Sequence, residues 1–175
     1  MKTRILIFLA VISFAFTACD LSNESNYRPD IIFLSDPVVN GKDTIGVFYT
    51  DQGGVYKLDT ISVGDTVSFR VFVNAYGNNI QSFFVTQSAD SVSSFILPPV
   101  SSMDTLFLPN SNYKEGKFYM SGLANSLYFP FQYIAKKPSL EAKISFSVVS
   151  DANFEYNQNS FVLKTPIIAV PDTIQ

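Results

Sequence analysis

The 175-residue chain has no histidine, no tryptophan and a single cysteine, Cys19. Without imidazole there is no Ser-His-Asp triad, no histidine general base and none of the usual zinc or copper ligand sets. One cysteine closes no intramolecular disulfide, and the antibody-type core of paired cysteines around a tryptophan is excluded. Basic residues are also in short supply, 12 against 15 acidic ones. A nucleic-acid footprint needs a basic surface, so that class of partner is not expected. Carboxylate chemistry of the glycoside-hydrolase kind survives these exclusions, but no spacing in the sequence sets two acids across a bond. No catalytic residue, metal site or cofactor is expected, and the chain reads as a non-enzyme.

The N-terminus is informative. "MKTR" is followed by an apolar run, Ile5 to Phe16, of 12 residues. A charged start and a short apolar stretch are the n- and h-regions of an export signal, and the run falls short of the roughly 20 residues a spanning helix needs. Cys19 follows in "FTAC". This stretch resembles the lipobox of bacterial lipoproteins, with Phe16 where Leu is usual. The resemblance implies a diacylglyceryl group on the Cys19 thiol, cleavage after residue 18 and acylation of the new N-terminus. Two or more acyl chains anchor a protein stably to a membrane, whereas one binds marginally. Residues 19–30, "CDLSNESNYRPD", are polar and fit a flexible lipidated tether. The folded domain is then expected over 31–175. Loss of Lys2 and Arg4 leaves 10 basic against 15 acidic residues, a net charge of −5. Asp20 after the cysteine fits inner-membrane retention under the enteric sorting rule. Acidic residues near the cysteine accompany surface export in other lineages, and the outer membrane is the expected location.

Alternation with a period of two recurs along the body of the chain, and no sustained helical stripe does. In "TVSFRVFVNAY", Val67, Phe69, Val71 and Val73 fall on one face; in "AKISFSVVS", Ile144, Phe146 and Val148 do the same. Further strands are expected over 31–34, 44–50, 55–61, 80–86, 92–97, 105–108, 117–120, 127–135 and 160–170, separated by turn sequences such as "NGKD", "YGNN" and "NSNYKEG". Ten or eleven short strands in one domain indicate an all-β sandwich, with a lipocalin-like barrel as the alternative. "VGDTVSFRVFV" resembles the entry to the second strand of bacterial immunoglobulin-like modules, which favours the sandwich.

Two segments suggest sites. "SLYFPFQYIA" sets Tyr128, Phe129, Phe131 and Tyr133 within six positions. Alternation assigns 127, 129, 131 and 133 to the core and leaves Tyr128 outward, while Pro130 confines the segment to an edge or a bulge. Tyr128, Tyr133 and Tyr113 are the candidate contacts for a glycan or protein partner. "DANFEYNQN" spaces oxygen ligands like the start of a calcium loop, but Tyr156 occupies the position of the required glycine. A solvated hairpin loop is the expectation there.

One triplet recurs, Asp followed by Thr or Ser and an aliphatic residue, at Asp43, Asp59, Asp65, Asp90, Asp104 and Asp172. Composition alone gives roughly one such triplet. Asp favours turns and Thr with β-branched residues favours strands, so the triplet suits a turn-to-strand entry. It also resembles the acceptor motif of a general O-glycosylation system of exported bacterial proteins, which implies glycans on Thr44, Thr60, Thr66, Ser91, Thr105 and Thr173.

Anchor and architecture together resemble the small accessory lipoproteins of outer-membrane glycan-uptake systems. This implies a membrane-tethered, non-enzymatic module binding a glycan or protein at the cell envelope. A structural or anchor subunit of a pilus-like assembly is the alternative, and a small-ligand carrier goes with a closed barrel. Lipidation is testable in the native host: Cys19→Ala is expected to move the protein from the detergent phase to the soluble fraction. An equally membrane-bound variant would defeat the assignment.

Overall fold

A computed structural model describes residues 27–50, 55–99 and 105–170. The strands are β1 (Asp30–Phe33), β2 (Val38–Val39), β3 (Asp43–Thr44), β4 (Val47–Thr50), β5 (Val55–Leu58), β6 (Ile61–Ser62), β7 (Thr66–Asn74), β8 (Ile80–Gln87), β9 (Ser93–Ile96), β10 (Lys117–Tyr119), β11 (Ser126–Ala135), β12 (Lys143–Ser150), β13 (Gln158–Lys164) and β14 (Ile167–Ile168). They form two six-stranded sheets. The first runs β3-β2-β7-β11-β9, with β1 also paired to β7; the second runs β10-β8-β12-β13-β5-β4. A parallel pair, β14 with β6, makes a third small sheet.

The alternation that predicts the core is the alternation that forms it. Val67, Phe69, Val71 and Val73 of the first sheet and Ile144, Phe146 and Val148 of the second are all buried and belong to one hydrophobic cluster. Rings cross the space between the sheets. Phe131 lies 6.1 Å from Phe146, Phe83 lies 5.2 Å from Phe129, and Phe33 meets Phe146 edge-on at 5.7 Å. Tyr133 is fully buried, its hydroxyl 3.1 Å from that of Thr165, which satisfies the polar end of the ring.

The lipocalin-like barrel does not form. The edges of the two sheets do not hydrogen-bond to each other, and the space a ligand would occupy holds phenylalanine. Several expected strands are divided. The stretch 55–61 breaks at Asp59–Thr60 and 160–170 breaks at Thr165–Pro166, where the chain leaves the second sheet for the β6–β14 pair. Residues 105–108 make a turn with one isolated bridge, Phe107 to Met120. The pair β2 is too short to show as a pattern. Pro130 lies in a central strand, yet its rule holds locally. Pairing of β11 with β7 covers Ser126–Ile134, whereas pairing with β9 covers Gln132–Ala135, so Pro130 sits where β11 has one neighbour.

Three residues expected in the tether pack on the domain. Pro29 is buried, the Arg28 Nε donates to the Gln158 carbonyl at 2.8 Å, and the Tyr27 ring lies 5.4 Å from that of Tyr76. Asp30, also expected in the tether, opens β1, and the remaining signal and tether residues, 1–26 with Cys19, lie outside the described residues. Among those described, no helix is long and apolar enough to cross a membrane. Truncating Phe69 or Phe146, each 1% exposed, to alanine is expected to cost about 3–5 kcal/mol. Losses under about 1 kcal/mol at both positions in denaturant melts would show that the core face is misassigned.

Candidate functional site

The two sheets part at one side, between β9 of the first and β10 of the second, and the seam is an open groove. Two adjoining clefts, of about 580 and 480 Å³, share Gln87, Asp90, Phe95 and Lys114. One wall is β9 and the Leu97-Pro98-Pro99 segment that continues it. The facing wall is a 3-10 turn, Tyr113–Glu115, just before β10.

Local chemistry fixes that turn. Asn112 caps it, its side-chain oxygen accepting from the Glu115 N–H. Gly116 closes it at φ 66 in the left-handed region, and a Cβ there would stand 1.8 Å from the Val85 carbonyl oxygen. Both conditions call for glycine. The Val85 N–H donates to the Gly116 carbonyl at 2.8 Å, tying the turn to β8. Tyr113 is half-buried, with its ring 5.1 Å from Phe118 and 6.0 Å from Phe107. Across the groove, Phe95 rests on Phe131 at 5.4 Å and Tyr133 at 5.9 Å. Both groove aromatics are therefore held by the core.

The groove floor is polar and pre-oriented. The Ser93 hydroxyl donates to the Gln87 side-chain oxygen, and the Gln87 amide donates to one Asp90 carboxylate oxygen, each at 2.8 Å. Lys114 and Lys136 flank the groove without an ion pair among the described residues. Lys117 pairs with Glu115 at 2.7 Å. That hydrogen bond and charge hold the Glu115 carboxyl below its ordinary 4.5 and raise the Lys117 ammonium. The interaction is thus present above the ordinary carboxylate range and is lost as pH falls through the lowered Glu115 titration. A glycosidase general acid carries the opposite shift; Glu115 shares a cleft with Asp90.

The expected site residues separate. Tyr113 lines the groove. Tyr128 is 48% exposed on the outer face of the first sheet, in register with Phe72 and, beyond it, Ile32. Tyr133 is corrected to a core residue, because its position on β11 points between the sheets. Gln87, Ser93 and Phe95 escape the sequence reading, since alternation within one strand does not reveal which strand ends meet at a seam. Their one signal is Pro98-Pro99, which marks where β9 must leave its sheet.

The "DANFEYNQN" stretch joins β12 to β13. The Asp151 carboxylate accepts from the Asn79 backbone N–H at 2.7 Å and from its side-chain amide at 3.0 Å, linking two loops. Among the described residues no group of three or more His, Cys, Asp or Glu is placed to hold a metal ion.

Three of the repeated triplets have a structural role. Asp59 accepts from the Gly46 N–H at 2.9 Å; Asp65 accepts from the Ser62 N–H and the Asn40 amide, each at 2.8 Å; Asp90 accepts from Gln87. These carboxylates tie turns together, as the turn-to-strand explanation requires. Thr44, Thr60, Ser91 and Thr105 are exposed, Thr66 is half-buried at the start of β7, and Thr173 lies outside the described residues.

No protein-family model matches the chain, and no curated protein does. Among solved structures, domains 4 and 5 of the S-layer protein SbsC align at 17% identity over 77% of this chain and 48% of theirs, with a TM-score of 0.31. A family 123 glycoside hydrolase from Clostridium perfringens aligns at 9% identity over 77% of this chain and 28% of its own, with a TM-score of 0.34. The chain spans less than half the length of either, and at these scores neither likeness assigns a function.

Glycopeptide mass spectrometry of protein from its native host tests the second reading of the triplets. Glycans are expected on one or more of Thr44, Thr60, Ser91, Thr105 and Thr173, with half-buried Thr66 the least accessible of the described acceptors, since a glycan must sit at the surface. Six unmodified triplets would leave the turn-to-strand role alone.

Proposed function

We propose that this protein is a lipid-tethered, non-enzymatic β-sandwich of the bacterial cell envelope, held at the outer membrane, that binds a glycan in the seam groove. The observation that carries the reading is the pairing of core-anchored Phe95 and Tyr113 with the Ser93–Gln87–Asp90 hydrogen-bond relay in one open cleft. Sugar rings present apolar C–H faces bordered by hydroxyls. Rigid aromatic surfaces take the former at low entropic cost, and side chains already oriented by their neighbours take the latter. An open groove admits a chain of sugars, where a closed pocket would admit a single ring.

A second reading, a subunit or anchor of a surface assembly, is supported by the row Ile32, Phe72 and Tyr128 on the outer face of the first sheet. Ile32 and Tyr128 are exposed there, and such a row suits a protein partner. The small-ligand carrier has no support in this fold, because it requires a closed barrel.

A glycan array probed with the mature polypeptide separates these readings. Binding to a subset of glycans is expected, weakened about tenfold by Phe95→Ala and by Asp90→Ala and unchanged by Tyr128→Ala. Thermal melts of each variant control for folding. Glycan binding that ignores both groove substitutions, or no binding at all, would overturn the groove assignment.

A further inference from the structure

The six strands of the second sheet carry four lysines, Lys57, Lys117, Lys143 and Lys164, and no aspartate or glutamate. In a chain with more acidic than basic residues this is a marked segregation. Three of the lysines are in register. Lys143 lies opposite Lys164, and Lys164 lies opposite Lys57, on the adjacent strands β12, β13 and β5. All three are exposed, while the next residues Ile144, Leu163 and Leu58 are fully buried, so the lysines share the outer face. At the usual strand separation the row spans about 10 Å.

Like charges directly opposite on neighbouring strands destabilise a sheet. Lysines that guard an open edge against strand pairing are a common exception, but β12, β13 and β5 are all interior to this sheet. None of the three is ion-paired among the described residues. Of the flanking acids, Asp59 is committed to the Gly46 N–H. The arrangement sets three exposed like charges side by side, with Glu141 the further flanking acid, two residues before Lys143. The adjoining outer rows mix hydroxyls with apolar residues: Ser145 lies between Thr86 and Val162, Ser147 lies between Phe84 and Ser160, and exposed Phe48 stands opposite Lys57.

We propose that this face docks an anionic polysaccharide, its carboxylate or phosphate groups along the lysine row and its hydroxyls over the serine and threonine residues. A repeating polyanion gains from several weak contacts at once along such a row. The choice of polysaccharide over membrane headgroups rests on the tether proposed above. Arg28 is bonded to Gln158 at the start of β13, so the chain enters the domain about 20 Å along that strand from Lys164. The lysine row lies at the opposite end of β13 from that entry.

The mature polypeptide is titrated with polygalacturonate, with neutral dextran and with vesicles containing phosphatidylglycerol. Polygalacturonate binding is expected at about 0.05 M salt and is expected to fade by about 0.5 M. The variant K57Q/K143Q/K164Q should bind about tenfold more weakly or worse, while K57R/K143R/K164R and the control K42Q/K137Q retain binding. Phe95→Ala should also retain it, so failure of the groove reading leaves this result untouched. No polygalacturonate binding, an equal loss in the control, or tighter binding to vesicles than to polysaccharide would overturn the proposal.

Discussion

The structure depends on a continuous chain of aromatic rings packed between two sheets that have no covalent tie. Tyr56 meets Phe161 at 4.9 Å, Phe161 meets Phe146 at 4.8 Å, Phe146 meets Phe131 at 6.1 Å and Phe131 meets Phe129 at 6.2 Å. Phe118 continues it 5.0 Å beyond Phe129 and Tyr113 a further 5.1 Å on. With Cys19 as the one cysteine, no intramolecular disulfide fixes how the sheets face one another. Edge-to-face and offset ring contacts are directional, so this seam sets the relative placement of the layers as well as their attraction.

The groove is where that chain reaches the surface. Phe95 branches from Phe131, and Tyr113 ends the run through Phe118. Neither ring is free to collapse into the cleft, because each is held from behind by buried neighbours. Gly116 and the Asn112 cap hold the facing turn against β8. The outer faces of the two sheets then diverge in character, an apolar row on the first and a lysine row beside mixed hydroxyl and apolar residues on the second. One core thus presents chemically distinct surfaces.

Much of the fold is legible in the sequence because half-buried strands impose a period of two. β7 and β12 are read correctly in extent and facing, and Tyr128 is placed outward on the same rule. What is not legible depends on partners. β6 and β14 are two residues each and exist through mutual parallel pairing. Tyr133 has the composition of a contact residue but a partner, Thr165, that only the fold brings near. The Ser93–Gln87–Asp90 relay unites a strand end, a turn and the start of the next strand. Its visible trace is Asp90 inside a repeated triplet, whose other members Asp59 and Asp65 proved to be turn ties.

If the account is right, ligand contact and core support coincide at the seam, and that coincidence can be observed directly. Backbone amide chemical shifts of the mature polypeptide, followed during titration with a glycan selected from the array, are the measurement. The account predicts perturbations centred on Gln87, Asp90, Phe95, Tyr113 and Lys114, with Ile32, Phe72 and Tyr128 unmoved. Perturbations confined to that outer row, with the groove silent, would contradict it.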